Sequence, residues 1–347
     1  MTTLAEVARK AGVTAATVSN VLRERGKVSV ETRERVLAAV RELGYRPNLT
    51  ARALAEGQPQ TVALMVSSIA NPFYPAFALA VERAVRKLGY FLIVCNTNDD
   101  PEQERAYLDA VAGSLARGVL VMNADFVQID ELVKLRERGV PVVLCMWEKP
   151  DQPPPLPSVA VDFFRAGMIA AEHLVKLGHR RIGVVMGSEL SGNHIWRYRG
   201  FLEGLKRAGL ELPEGHTVFG HDTIDAGRNA GHALLAAVPD LTAVFASNDL
   251  PALGVLQAAA EVGLDVPGDL SVIGITDIAL AHQVRPALTT VAVPIDESAE
   301  LAVELITQMI RETGAPGGQP PLRESSVPRL VVRASTGRAS KAAASAK

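Results

Sequence analysis

VARKAGVTAATVSNVLRERGKVSVETRERVLAAVRELGYRPNLTARALAEG, residues 7–57, contains three short amphipathic stretches separated by residues that break helices. Thr3, just ahead of it, can cap a first helix over Leu4–Ala11, whose apolar residues Leu4, Val7, Ala8 and Ala11 fall at i, i+3, i+4 and i+7. Gly12 ends that helix. Thr14 can cap a second, carrying Val18, Val21 and Leu22. Ser29 opens a third, with Val36, Leu37, Val40 and Leu43 on one side and a stop at Gly44-Tyr45-Arg46-Pro47. A small residue where two helices cross (Ala8), a glycine in the turn (Gly12) and an apolar anchor beyond (Val18) meet the steric needs of a helix-turn-helix. An ordinary helical hairpin meets them too, so this geometry alone leaves both open.

Charge separates this head from the rest of the chain. Residues 1–56 hold ten lysines and arginines against six glutamates, a net +4, which leaves −6 for the remainder of a chain whose total is −2. A basic head on an acidic body suits a protein in which only the head meets phosphate.

After Gly57 and Pro59 the pattern changes. Apolar runs TVALMV, YFLIVC, GVLVM, PVVLCM, SVAVD, RIGVVMG, TAVFAS, LSVIGI and TTVAV alternate with amphipathic helical stretches, the form of a βαβ parallel sheet. A Pro-rich stretch, Pro150–Pro157, interrupts the alternation and points to two similar sheets rather than one. Aromatics are only 5% of the chain, so the core must come from Ala, Val, Leu and Ile, as in buried parallel strands. Cys95 and Cys145 each sit in an apolar run, outside any metal or redox spacing, and read as buried free thiols. The charged N-terminus lacks a signal-peptide pattern, and no segment reaches the ~18–20 apolar residues of a membrane span, so a cytoplasmic protein is expected.

No GxGxxG follows a strand, and GxxxxGK[ST], HExxH and GxSxG are absent. The seven histidines show no metal-ligand spacing, and His179 reads as structural. No catalytic residue, metal or cofactor is expected.

The 7–57 stretch resembles the head of the LacI-type family of regulators, the family of the lactose and purine repressors. The likeness lies in VARKAG, TVSNVL, VSVETRERV and LGYRPNLTARAL at matching spacing. The resemblance implies that the second helix enters the major groove, with Ala15, Ala16 and Asn20 toward base edges and Thr14, Thr17 and Ser19 nearer phosphates. Arg23, Ser29, Thr32 and Tyr45 are expected on the same DNA-facing side. Alanine can only touch thymine methyls or leave room. Asn20 can pair bidentately with adenine, worth roughly 1–3 kcal/mol of discrimination. Asn48–Gly57 would be a hinge helix that orders on operator DNA, with Leu54 as a minor-groove wedge and Asn48 and Arg52 beside it.

The body resembles the family's periplasmic-binding-protein-like core of two Rossmann-like parallel-sheet lobes with a ligand cleft between them. The landmarks are SSIANPFYPAF, CNTNDDPEQERAYL, LGHRRIGVV, RYRGF, FASNDLPALGVL and RPALTTVAVP, with Asp162 and Gly167 between the second and third. The implied boundaries are 1–47 for the helix-turn-helix domain, 48–59 for the hinge and 60–335 for the core. Within the core, an N-lobe of about 60–160 plus 293–321 pairs with a C-lobe of about 161–292 plus 322–335. Residues 336–347 read as a disordered tail. Three lobe crossings are expected, near 158–162, 290–294 and 320–326.

The resemblance implies Phe73 and Tyr74 as one cleft wall, although loop-to-helix packing would explain them as well. It makes Arg197 a fork onto a ligand carboxylate or hydroxyl pair, and Asn248 a ligand contact with Asp249 capping the next helix. Three positions depart from the family pattern. Thr276 stands where an acid usually grips sugar hydroxyls, Phe163 stands where Asn is common, and Gly220-His221-Asp222 lacks the usual aromatic. Asn193, His194, Arg197 and Asp222 could suit a more polar or charged metabolite than a neutral hexose.

The function expected is a ligand-responsive DNA-binding regulator, acting as a homodimer on a pseudo-palindromic operator. A periplasmic-type solute-binding protein, or an α/β sugar-modifying enzyme, is the alternative.

Overall fold

A computed structural model describes residues 2–22, 26–45, 60–122, 126–148, 154–188, 194–312 and 320–339. The expectations placed on Arg23, Asn48, Arg52, Leu54, Asn193, the hinge helix and residues 340–347 lie outside the described residues. The chain divides into two compact units, Met1–Pro59 and Gln60–Lys347.

The first unit is three helices, α1 (Leu4–Ala11), α2 (Ala15–Leu22) and α3 (Val30–Glu42). Thr3 and Glu6 form a reciprocal capping box at the start of α1, and Gly12 ends that helix at φ 65°, a conformation glycine adopts freely. The Thr14 hydroxyl accepts the Thr17 N–H, and Ser29 caps α3 through the Thr32 N–H. Val7, Ala8, Ala11, Val18, Val21, Val36 and Ala39 form the core, with Leu37, Val40, Leu43 and Tyr45 against it.

The second unit holds two six-stranded sheets. The first runs β11-β5-β4-β3-β1-β2, built from β1 (Thr61–Val66), β2 (Phe91–Asn96), β3 (Val119–Met122), β4 (Val142–Trp147), β5 (Ser158–Ala160) and β11 (Leu322–Glu324). All its pairings are parallel. Its helices are α4 (Phe73–Lys87), α5 (Pro101–Ala110), α6 (Phe126–Glu137) and α12 (Ile295–Arg311).

The second sheet runs β12-β10-β9-β8-β6-β7, from β6 (Ile182–Met186), β7 (Thr217–Phe219), β8 (Ala243–Ala246), β9 (Ser271–Thr276), β10 (Thr289–Ala292) and β12 (Arg329–Val331). Only β12 is antiparallel. It carries α7 (Phe163–Lys176), α8 (Ile195–Arg207), α9 (Ile224–Ala237), α10 (Asp249–Glu261) and α11 (Leu280–Gln283). Central strands β1, β3, β4, β6, β8 and β9 are almost wholly buried, as expected of parallel strands covered on both faces by helices.

The chain crosses between sheets after β5, after β10 and after β11. The third crossing corrects the expected lobe limit at 321/322. Leu322–Glu324 pairs with Ser158–Ala160 and still belongs to the first sheet. A second correction concerns the start of the tail. His179 bonds Thr242 through Nδ1 and the Gly337 carbonyl through Nε2, and the Ala339 N–H reaches the Leu177 carbonyl, so residues 336–339 are part of the second lobe. Paired backbone groups, invisible in a low-complexity composition, hold them there.

One close approach bears on the site. α7 and α8 cross with backbones in contact at Gly167 and Gly200, where an added Cβ would lie 1.9 Å from the Arg197 and Phe164 carbonyl oxygens, respectively. Only glycine permits that crossing, and it sets Arg197 directly over the first turn of α7.

Candidate functional site

The first unit presents the exposed face of α2. Val18 and Val21 turn inward, which leaves Thr14, Ala15, Ala16 and Asn20 exposed and Thr17 and Ser19 half-buried. The Thr14 and Thr17 hydroxyls lie 2.9 Å apart. Two bare methyls and one free amide on a convex helix face form a surface that can meet base edges, while the flanking hydroxyls can donate to phosphate oxygens. Ser29 is exposed and Thr32 half-buried at the start of α3, and Tyr45 packs half-buried against the helical core.

In the second unit, the loops at the carboxyl ends of the strands from both sheets meet. Open α/β sheets bind ligands at these ends, because helix N-termini and loop amides gather there. Asn71 and Arg197 make polar contacts that join the lobes. Asn71, after β1, donates from Nδ2 to Asp222 Oδ2 at 2.7 Å. Arg197, on α8, donates to Glu148 Oε1, after β4, at 2.8 Å. Arg197 also donates to the Ser247 carbonyl at 3.0 Å, and its guanidinium lies 4.2 Å from the centre of the Phe163 ring. Its side chain is 4% exposed, so this ion pair is shielded from water.

Asp222 is the centre of the other contact. Its Oδ2 also accepts from Asn248 Nδ2 at 2.8 Å, while its Oδ1 is covered and has no hydrogen-bond donor. Burial pushes its carboxyl up to about 6, against the pull of Arg197. His194 shares a hydrogen bond at Nδ1 with Ser247 Oγ, which accepts the Gly187 N–H. Burial, reinforced by Arg197, holds that imidazole well below its ordinary value and therefore neutral.

The structure brings most of the expected cleft residues together, with different duties for several. Phe73 and Tyr74 are buried at the start of α4, in edge-to-face contact, and burial pushes the Tyr74 hydroxyl up. Phe163 is fully buried as the platform beneath Arg197. The Arg197 fork, expected on a ligand, is occupied by Glu148 and Ser247, and only Nε lacks a partner. Asn248, not Asp249, caps α10. Asp249 is fully buried and accepts from Thr290, Thr276 and the Ile278 N–H. The Thr276 hydroxyl, held at φ 124°, donates to Asn248 Oδ1 at 2.9 Å, which turns the Asn248 amide toward Asp222.

Sequence reasoning missed Asn71, Glu148 and Ser247. Asn71 and Ser247 lie within the SSIANPFYPAF and FASNDLPALGVL landmarks, but nothing local to Glu148 signals a partner in the opposite lobe.

Asp249 carries a pH prediction. Its carboxyl is pushed up to about 6 from an ordinary 3.8, chiefly by burial, so the folded state binds this proton more readily than the unfolded chain. The protonated side chain is accommodated below about pH 6 and its ionisation costs stability above it. Asparagine does not titrate, so Asp249→Asn is expected to cost more stability at pH 5 than at pH 8, measured by denaturant unfolding. A pH-independent cost would show that Asp249 is ionised without penalty.

Among the described residues no group of His, Cys, Asp and Glu could hold a metal, and no helix is long and apolar enough to cross a membrane.

The model for bacterial regulatory proteins of the lacI family matches residues 3–48, and the model for the periplasmic binding protein-like domain matches residues 171–336. The ribose operon repressor of Escherichia coli (strain K12) is 34% identical over 312 residues, which span 90% of this chain and 94% of that protein. A solved complex of the transcriptional regulator CelR with cellobiose is 31% identical, with a TM-score of 0.70 over 96% of this chain and 100% of that one. The lac repressor dimer bound to operator and the anti-inducer ONPF is 26% identical, with a TM-score of 0.83 over 97% of this chain and 99% of that one.

Proposed function

Because the chain belongs to the LacI family of bacterial regulatory proteins, we propose that it is a cytoplasmic transcriptional repressor. It binds a pseudo-palindromic operator as a homodimer and answers to a small effector held between the lobes. It is a regulator and not an enzyme, as its relatives are. The observation that carries this reading is a convex helix face of Ala15, Ala16 and Asn20 on a chain whose other unit is a two-sheet body joined across its lobes by side-chain contacts.

The mechanism is linkage between two conformations. The Asn71–Asp222 and Arg197–Glu148 contacts exist only when the lobes are together. An effector that prefers one lobe arrangement shifts the population, and a coupling of about 1–3 kcal/mol changes operator affinity roughly 5- to 150-fold. The lobes supply the two states and the head supplies the output.

Selection of binding sites from random duplex DNA tests the first half. The protein should enrich a two-fold symmetric site, and Asn20→Ala should lose preference at one base pair per half-site while retaining overall salt-dependent binding. An unchanged preference would remove Asn20 from base readout, and no enrichment by the wild type would overturn the repressor assignment.

A further inference from the structure

We propose that the inter-lobe cleft selects a ligand whose recognised group is a protonated amine, and that Asp222 is the residue that selects it. The inference rests on the effector reading of the cleft and deepens it.

Each charged or polar group at the cleft can be matched to its partner in turn. Arg197 is the cation that reaches the meeting point of the lobes among the described residues, and its charge is matched by Glu148 at 2.8 Å. Its remaining contacts are the Ser247 carbonyl and the Phe163 ring; Nε alone is left without an acceptor, and the charge it belongs to is already balanced by Glu148. His194 is buried against Ser247 and Arg197 and stays neutral. The hydroxyl of Thr276 is committed to Asn248, and Asp249 takes the donors of Thr290 and Ile278.

Asp222 is left over. Its Oδ2 has two amide donors, one from each lobe, but its Oδ1 lies covered with none. Gly187 is the backbone beside that oxygen, since a Cβ there would come within 3.3 Å of it. Asp222 thus has no ion-pair partner among the described residues and keeps an unused acceptor. The other ionisable groups acting on this part of the cleft are Tyr74 and Asp99 from the first lobe and His194, Arg197 and Asp249 from the second. None of them adds a free cation.

A ligand group that fits this arrangement must donate and must bring positive charge. An N⁺–H to carboxylate bond is about twice as strong as a neutral one, and in a shielded site it also removes the penalty of a buried lone charge. A carboxylate or phosphate would meet Asp222 with like charge and find no cation without an ion pair among the described residues. Entry is possible because Asn71 belongs to the opposite lobe. When the lobes part, the Asn71 bond breaks and Oδ2 loses one of its two donors, while Asn248, on the same lobe as Asp222 and fixed by Thr276, keeps the carboxylate oriented.

The test uses the full-length protein and three matched sets of probes: glucosamine, glucose and glucuronate; galactosamine, galactose and galacturonate; putrescine, 1,4-butanediol and succinate. Affinities are read by calorimetric titration at pH 7.5 and pH 5. At least one amine is expected to bind about tenfold or more tighter than its neutral and acidic counterparts at pH 7.5. That preference should shrink at pH 5, as Asp222 takes up a proton. It should also collapse to within about twofold in Asp222→Asn, which removes the charge and keeps the shape. Should that variant unfold, Asp222→Ser reads the same preference.

A neutral or acidic member that binds as tightly as its amine, or an amine preference that survives in Asp222→Asn, would overturn the inference while leaving the effector cleft intact. Binding by none of the nine would overturn it as well. The effector reading itself is decided separately, by whether a heat-cleared extract of cell metabolites changes operator affinity.

Discussion

Gly200→Ala is expected to destabilise the core by about 3 kcal/mol or more, because the added methyl has no space and no flexible neighbour to displace. A Cβ at Gly200 would sit 1.9 Å from the Phe164 carbonyl oxygen and 2.7 Å from its carbon, both backbone atoms of α7. The reciprocal position is equally tight, with Gly167 facing the Arg197 carbonyl at 1.9 Å. The two helices can relieve the clash only by separating along their whole contact, which would pull Phe201 away from Phe245, stacked beneath at 4.1 Å. For a domain of this size the loss corresponds to a fall in Tm of about 6–12 °C. Gly113→Ala, where an added methyl meets nothing, is the control and should change little. If Gly200→Ala melted with the control, the close helix crossing would not be a constraint in solution. The same substitution should also weaken effector binding, because it moves the segment that aims Arg197.

The second large effect is expected from Glu148→Ala. It leaves the Arg197 guanidinium, 4% exposed, without its carboxylate partner, and breaking one side of a buried pair costs about 3–5 kcal/mol. The protein has one way to reduce that cost. Because the pair spans the lobes, parting them lets water reach Arg197. Two readouts should therefore move together: a lower Tm by calorimetry and a larger radius of gyration by solution scattering. Glu148→Ala/Arg197→Met should recover most of the lost stability, since no lone charge remains. A Glu148→Ala change no larger than that from the solvated Arg165–Glu172 pair, roughly 0–1 kcal/mol, would mean the lobes are already open in solution.

The two sites differ in how far they can be read from the chain. In the head, Thr3 with Glu6, Gly12, Thr14 and Ser29 act on backbone groups within four residues of themselves, so the helix limits follow from the sequence almost directly. The exposed set on α2 follows too, because Val18 and Val21 fix which side faces inward. Eight of the nine apolar runs of the body mark interior strands for a similar reason: a strand covered on both faces must be apolar throughout. The ninth is β2, an edge strand that is apolar yet partly exposed. The three-residue edge strands β7, β11 and β12 carry no such mark. They are largely half-exposed, so no apolar run announces them, and their pairing is defined only by the strand alongside.

The cleft shows the opposite dependence. Arg197 is legible as a site residue, but its partner Glu148 lies 49 residues away, and Asp222 meets Asn71 across 151 residues. A polar side chain has several possible partners of similar strength, and which one it takes depends on where the sheets bring their loop ends. The resemblance puts Asp249 at a helix cap; Asn248 takes that place instead, and Thr276 and Thr290, from β9 and β10, hold the buried Asp249. The three-helix head, the strand–helix alternation and the identity of the reading face are therefore written in the chain, since each depends on contacts within a turn or on burial of a whole segment. That Arg197 is neutralised and Asp222 is not is written only in the folded lobes, because charge pairing depends on distances of a few ångströms between groups that folding alone brings together.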